Sequence, residues 1–341
     1  MSFSHPASSP NVTMADVARI AGVSTITVSR ALRAPQTVAP ATRERIEQAI
    51  QQTGYVFDSV AGSLKSRRTN LVLVLIPSIM HSYLAHMIQG ISDVISPRGL
   101  HLVLGTTEET PEGEERTIRA FLPLRPCAIL MHNTVHTART REELLRYGVP
   151  LIETGDLIAE PLGHVVSYSN HEAARAMTAH LAATGRKRIA FIYRGPGNER
   201  TWIRRSGYRQ ALADAGLTFA PELEVAAEPG FAGAATALRY LMGLAQPADA
   251  GFFVGDDLAA GAMIECQRQG WSVPGRIAVA AYDDSELAAH VDPGITSLRI
   301  PRYELGRQAG ELLLESLESG APLSDSRSID LGFTLNVRQS T

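Results

Sequence analysis

Two arginines four residues apart, Arg200 and Arg204 in "NERTWIRRSGY", carry much of the chemistry in this 341-residue chain. With them stand two carboxylate pairs, Asp256–Asp257 closing "GFFVGDD" and Asp283–Asp284 closing "IAVAAYDD". Each group follows a short apolar run that reads as a buried strand. Charged side chains just past such strands either contact a ligand or cap the next helix, and Asp257 and Asp284 read well as caps. Ser78, His81, Tyr83 and His132 also follow apolar runs and could close a site, although each serves equally well as a structural residue. A different chemistry stands at the front. "VTMADVARIAGVSTITVSRALR", residues 12–33, holds two short amphipathic patterns around a glycine, with Arg30 in the second. The planar guanidinium of an arginine matches the two acceptors on the major-groove edge of guanine.

Other signals carry less. "RGPG" lacks the spacing of a phosphate-binding glycine loop. His132 and His136 in "HNTVH" have no catalytic glutamate where a zinc protease needs one. No nucleophile–base pair has supporting spacing, so the expectation is no enzyme, no cofactor and no metal. The two cysteines, Cys127 and Cys266, exclude a disulfide framework, and Cys266 falls on an apolar helical pattern as a buried small side chain. The first residues show no basic-then-apolar signal pattern, and "LVLVLIPSIM" is too short to span a bilayer. A cytoplasmic protein without membrane contact is expected, associated with the nucleoid when bound to DNA.

The elements that position these groups follow from periodicity. Residues 1–11 are Ser/Pro-rich and read as a disordered tail. Thr13 and Asp16 open a first helix as a capping pair, Val17, Ala18 and Ala21 form its apolar face, and Gly22 ends it. Ser24 caps a second helix with Val28 and Leu32 inward. A third pattern puts Ile46, Ala49 and Ile50 on one side and closes at Gly54. Three short helices with a tight first turn make a helix-turn-helix, whose second helix presents Thr25, Ile26, Thr27 and Arg30 to base edges. Ser24, Ser29, Thr37, Thr42 and Tyr55 are hydroxyl donors suited to phosphates. Charge agrees: the chain is −3 overall, but residues 1–70 hold eight Lys/Arg against four Asp/Glu, leaving the rest acidic. Periodicity alone also fits a three-helix protein-interaction cap.

From residue 70 apolar strand runs alternate with helix-period segments, which predicts βαβ units and parallel sheets. The series restarts near "HEAARAMTAHLAATG". The predicted fold class is α/β: an all-α helix-turn-helix head and a periplasmic-binding-protein-like body of two doubly wound, parallel-sheet lobes. The expected boundaries are a tail at 1–11, a DNA-binding domain at 12–57 and a hinge at 58–69. Lobe 1 is expected at 70–165 plus 298–326, and lobe 2 at 166–297 plus 327–341. A ligand would sit between the lobes at the strands' carboxyl ends.

"TMADVARIAGVSTITVSRALR", with its A-G-V-S-x-x-T-V-S-R core, resembles the start of lactose-repressor-type (LacI/GalR) transcription regulators. The resemblance continues through "VAPATRERIEQAIQQTGYVFD" and "VAGSLKS" and, more weakly, to the C-terminus. It adds Thr13 to the DNA contacts and implies a hinge that folds on operator DNA and wedges a leucine into the minor groove. Here that places Val60, Ala61, Leu64 and Lys65 at the DNA. Gly62 and the Phe57–Asp58 pair depart from the family pattern and put hinge folding in doubt. The resemblance further implies effector contacts at the positions of Arg204 and Asp283, while Asp256 replaces a frequent Asn. A stacking aromatic common in the family is missing near Glu228, with Phe231 or Trp202 as substitutes. "NERTWIRRSGYRQALADAGL", "DDLAAGAMIECQRQG", "SIDLGFTL" and the spacing of "PLIETGD", ending at Asp156, resemble the gluconate-utilisation branch.

A sugar acid fits these residue types: arginine can bind its carboxylate through two parallel hydrogen bonds, while Asp156 and Asp283 accept from hydroxyls. The expected effector site is therefore Ser78, His81, Tyr83, His132, Asp156, Arg200, Arg204, Asp256 and Asp283. The expected molecule is a homodimer on a pseudo-palindromic operator, most simply a repressor, with gluconate or a ketogluconate as effector. No leucine heptads close the sequence, so a coiled-coil tetramer is not expected. The alternatives are a family member answering a neutral sugar or other metabolite, and a sugar-acid enzyme with no use for a basic head.

Overall fold

The computed structural model describes residues 12–55, 68–80, 83–320 and 326–341. The chain divides into two units, Met1–Thr69 and Asn70–Thr341.

The first unit contains α1 (Met14–Ala21), α2 (Thr25–Arg33) and α3 (Pro40–Thr53). Local chemistry fixes each end. The Thr13 hydroxyl accepts the Asp16 amide while the Asp16 carboxylate accepts the Thr13 amide at 3.0 Å, a reciprocal capping box. Gly22 takes φ 65°, the left-handed turn that leads into α2. Ser24 Oγ accepts the Thr27 amide at 3.2 Å, and Pro40 opens α3. Val17, Ala18, Ala21, Val28, Ala31, Ile46 and Ala49 pack into one small core, with Leu32, Ile50 and Tyr55 at its edge.

The second unit holds two six-stranded sheets. The first is built from β1 (Leu71–Ile76), β2 (His101–Thr106), β3 (Ala128–Met131), β4 (Leu151–Glu153), β5 (His164–Ser167) and β11 (Ser328–Asp330). Its order is β11-β5-β4-β3-β1-β2, parallel throughout. The second contains β6 (Ile189–Arg194), β7 (Glu224–Ala227), β8 (Ala250–Phe253), β9 (Ala278–Asp283), β10 (Thr296–Arg299) and β12 (Thr334–Asn336). Its order is β12-β10-β9-β8-β6-β7, parallel except for β12. The apolar runs are the buried strands; Val72 to Ile76 are at most 1% exposed, as expected of strands covered on both faces.

The helices α4 (Tyr83–Ile95), α5 (Pro111–Phe121) and α6 (Ala138–Tyr147) belong to the first lobe. In the second are α7 (Asn170–Ala183), α8 (Glu199–Asp214), α9 (Phe231–Met242), α10 (Asp256–Gln269) and α11 (Glu286–His290). α12 (Arg302–Ser319) returns to pack on α4 so closely that a Cβ at Gly306 would lie 1.9 Å from the Met87 carbonyl oxygen.

Three boundaries differ from the expected ones. β5 runs to Ser167 on the first sheet, so the first crossing falls after 167 rather than 165. β10 runs to Arg299 on the second sheet, so the second crossing falls after 299 rather than 297. Residues 328–330 extend the first sheet beside β5, so this piece is in lobe 1 rather than lobe 2. "SIDLGFTL" is two strands broken at Gly332, φ 62°, each completing the edge of a different sheet.

In both sheets the strand order reverses where β1 lies between β2 and β3, and where β6 lies between β7 and β8. A crevice opens at the carboxyl ends of strands flanking such a reversal. The segments starting at His132, Gly195 and Gly255 follow three of those strands.

Candidate nucleic-acid interface and ligand cleft

In the first unit the start of α2 is the chemically open surface. Ile26 is 69% exposed, Thr25 and Arg30 are exposed, and Arg30 has no ion-pair partner among the described residues. Neighbouring arginines differ: Arg19 pairs with Asp16 at 3.2 Å and Arg43 with Glu47 at 3.8 Å. An exposed isoleucine beside an uncommitted guanidinium suits a thymine methyl and a guanine edge. Thr27 is half-buried, its hydroxyl 2.9 Å from Ser24 Oγ within the cap. Thr13 is also in a cap, and Thr37 donates to the Ala34 carbonyl at 2.7 Å. These three hydroxyls have local duties besides any phosphate. Ser29 and Thr42 are half-buried, and Tyr55 packs against the head core. Val60, Ala61, Leu64 and Lys65 lie outside the described residues.

In the second unit a cavity of about 730 Å³ is lined by Tyr83, Asp256, Asp283, Ser285, Arg302 and Tyr303, among others. Its back wall continues into a buried polar network. Arg302 donates to Asp283 Oδ1 from Nε at 3.1 Å and from Nη2 at 2.5 Å, and Nη2 also reaches the Tyr168 hydroxyl at 3.3 Å. Its guanidinium lies 4.4 Å from the Tyr83 ring centre. Arg204 approaches the same Tyr168 hydroxyl at 3.5 Å, donates from Nε to Asn170 Oδ1 at 2.8 Å, and lies 4.3 Å from the Tyr282 ring centre. Tyr282 donates to the Tyr168 hydroxyl at 3.1 Å. Arg302 thus has a carboxylate; Arg204 has none within ion-pairing distance among the described residues.

Asp256 is buried, accepting from the Ser297 hydroxyl at 2.8 Å and from the Ser285 amide. Burial, together with the nearby Asp283 charge, pushes its carboxyl up to about 6. Asp283 and Asp284 both take positive φ, 100° and 53°, a strained backbone of the kind that gathers at binding sites. Tyr83 is pushed above the usual phenol range, chiefly by burial.

Arg200, nearly buried, bridges the lobes by donating from Nη1 to the His132 carbonyl at 2.7 Å, and pairs with Glu199 at 3.0 Å. The His132 ring is committed to Thr154 Oγ1 at 2.9 Å. Tyr83, Asp256 and Asp283 therefore line the cavity, and Arg204 connects to it through Tyr168.

Several expected residues stand elsewhere. Asp156 is buried and accepts the Asn170 amide at 2.9 Å and its side-chain nitrogen at 3.0 Å, so it holds Asn170 rather than facing the cavity. Ser78 Oγ accepts the Met80 amide in a turn after β1. His81 lies outside the described residues. Trp202 and Phe231 are 38% and 51% exposed and do not line the cavity. The cap readings fail too. Asp257 pairs with Arg194, and Asp284 with Arg338 at 2.6 Å, because a long-range guanidinium competes better for a carboxylate than a few backbone amides do. Sequence reasoning missed Tyr168, Asn170, Tyr282 and Arg302; of these only Tyr282, directly before the strand-ending Asp pair, carried a local signal.

Among the described residues no helix is long and apolar enough to cross a membrane. Residues 13–58 match the family described as bacterial regulatory proteins, lacI family, and residues 178–341 match a periplasmic binding protein-like domain. The chain is 35% identical to the HTH-type transcriptional regulator GntR of Pseudomonas aeruginosa, covering 96% of this chain and 95% of the relative. Its identity to the Escherichia coli regulator of that name is 32%, over 94% and 96%. Among solved structures it resembles a LacI family regulator from Silicibacter pomeroyi, with TM-score 0.86, 28% identity and coverage of 96% and 99%. It also resembles a cellobiose complex of the regulator CelR, with TM-score 0.70, 28% identity and coverage of 97% and 100%.

Proposed function

Because the chain belongs to the LacI family of DNA-binding transcriptional regulators, and is not an enzyme, we propose that it is a repressor whose hold on its operator is set by a sugar acid in the cleft, gluconate or a ketogluconate. The observation that carries this reading is Arg204. A guanidinium beside a buried network, with no carboxylate partner among the described residues, is the place for a ligand's own carboxylate, and a neutral sugar would leave that charge unanswered. Asp283 keeps Oδ2 for ligand hydroxyls while Arg302 occupies Oδ1. The resemblance of the segments around Arg204 and Asp256 to gluconate-utilisation repressors points the same way.

On this reading two copies place their α2 helices on the two halves of a pseudo-palindromic operator. Gluconate draws the lobes together on Arg204 and loosens the operator grip, with a coupling of about 1–3 kcal/mol. Titrating the protein by calorimetry with gluconate, 2-ketogluconate and glucose tests the effector class. Binding of the acids but not of glucose is expected. Equal binding of glucose would refute the carboxylate anchor and favour the neutral-sugar alternative.

A further inference from the structure

The first lobe contains a buried cluster with no part in the site described so far. His136 lies between two carboxylates: Nδ1 is 2.6 Å from Glu114 Oε1, on α5, and Nε2 is 3.0 Å from Glu153 Oε1, on β4. All three side chains are at most 1% exposed. With both glutamates ionised, each ring nitrogen donates and the ring is an imidazolium. Glu153 is fixed on its other oxygen by the Leu162 and Gly163 amides at 2.6 and 3.3 Å. Glu114 Oε2 has no hydrogen-bond partner among the described residues, so there the histidine alone holds that carboxylate. Other charged groups on the elements around the loop are Glu115 and Arg119 on α5 and Arg139 and Glu143 on α6: Glu115 accepts from Thr137 Oγ1 at 2.8 Å and lies 3.7 Å from Arg139, and Glu143 pairs with Arg139 at 3.1 Å and lies 3.9 Å from Arg119.

His136 sits in the stretch from His132 to Thr137 that joins β3 to α6, and the other end of this loop is where the second lobe lands. The His132 carbonyl takes the Arg200 guanidinium, and the Thr134 amide donates to Glu199 at 3.3 Å. The loop backbone also presses on the segment after β4: a Cβ at Gly155 would lie 2.4 Å from the His132 carbonyl oxygen. Arg200 and Arg204 are one turn apart on α8, so where α8 rests on the loop decides where Arg204 points.

We infer that His136 is a positioning residue for effector binding: bridged between Glu114 and Glu153, it fixes the loop that receives Glu199 and Arg200, and through α8 it sets Arg204 in the polar network behind the cleft. This rests on the reading of the cleft as the effector site. Loss of the bridge frees the loop, and lobe closure must then order it at the cost of affinity.

The test uses the full-length protein and two readouts. Gluconate affinity is measured by calorimetry from pH 7 to pH 10, and amide exchange over residues 132–137 and 198–204 is followed without ligand. In the wild type, affinity holds near pH 7 and falls as His136 loses its proton. In His136→Gln, affinity at pH 7 is weaker by on the order of tenfold, the loss expected for hydrogen bonds to a charged group. The pH-dependent fall disappears in that variant and its 132–137 amides exchange faster. Glu114→Gln, which keeps the shape but removes one charge, moves the fall to lower pH. Should His136→Gln fail to fold, the double variant Glu114→Gln/His136→Gln leaves no unpaired charge on that side and is held to the same criteria. A folded variant with wild-type affinity, pH profile and exchange overturns the inference. Absence of gluconate binding by the wild type refutes the sugar-acid reading instead; the exchange readout then decides, and unchanged exchange overturns the positioning role.

Discussion

Replacing Arg204 with Met separates what the cleft needs for folding from what it needs for its ligand. The Arg204 guanidinium gives Asn170 Oδ1 one hydrogen bond and covers the Tyr282 ring. Asn170 Oδ1 does not depend on it, since the Tyr168 and Tyr282 hydroxyls lie 3.2 and 3.3 Å from the same oxygen. The lost hydrogen bond and cation–π contact together favour the wild type by roughly 2–4 kcal/mol. Relief from keeping a half-buried cation without a carboxylate is worth several kcal/mol in the other direction. The two nearly cancel, so the expected change in stability is within about 1 kcal/mol, or a few degrees in Tm for a body of this size. Effector binding has no such compensation. A charge-assisted, two-bond pair with the acid's carboxylate contributes about 1.5–3 kcal/mol, so gluconate should bind roughly 10- to 150-fold more weakly. Scanning calorimetry and isothermal titration on the same preparation read both quantities. A variant that binds gluconate normally refutes the anchor. A loss of more than about 3 kcal/mol of stability means that Arg204 is chiefly structural and that the reasoning about its missing carboxylate is wrong.

Other outcomes follow from the same geometry. Asp256, raised from 3.8 to about 6, holds its proton more tightly when folded, so its contribution is full below pH 3.8 and lost as pH rises through 6. Asp256→Asn should therefore stabilise the body by up to about 3 kcal/mol at pH 7 and by nothing at pH 3.5, in thermal melts across that range. His136 rises from 6.5 to about 9, because its bonds to the two carboxylates outweigh burial. Its stabilisation is complete below pH 6.5 and fades through pH 9, so the Tm difference between wild type and Glu114→Gln should shrink across that interval; a constant difference would refute the bridge. Arg30→Ala should cost about 1–3 kcal/mol of specific operator affinity and little on random-sequence DNA, by competition gel shifts.

The head was legible because its signals are local. Thr13 and Asp16, Gly22, Ser24 and Gly54 each fix a helix end through neighbours a few residues away, and Val17, Val28 and Ile46 mark the faces that must meet. The alternation of strands and helices likewise announced two sheets, and Asp256 and Asp283, singled out at the strand ends, line the cavity. What the sequence could not disclose was who pairs with whom. Asp283 meets Arg302 only because the chain returns from the second lobe, and Asp156 is taken up by Asn170 across the first crossing. Asp257 and Asp284 went to distant arginines for the same reason. Glu114, His136 and Glu153 come from α5, a loop and β4, and no spacing betrays that the fold sets them in one buried row. The lobe boundary at 328–330 slipped because a three-residue strand has too few side chains to declare which sheet edge it joins.

Acid-controlled operator binding is tested most directly on the DNA itself. Fluorescence anisotropy of a labelled promoter fragment, at one fixed salt concentration, should show the wild type bound without ligand. Saturating gluconate should weaken that binding by roughly 5- to 150-fold, while Arg204→Met binds the fragment equally well and barely responds. Identical wild-type curves with and without the acid, across the sugar acids tried, would contradict it.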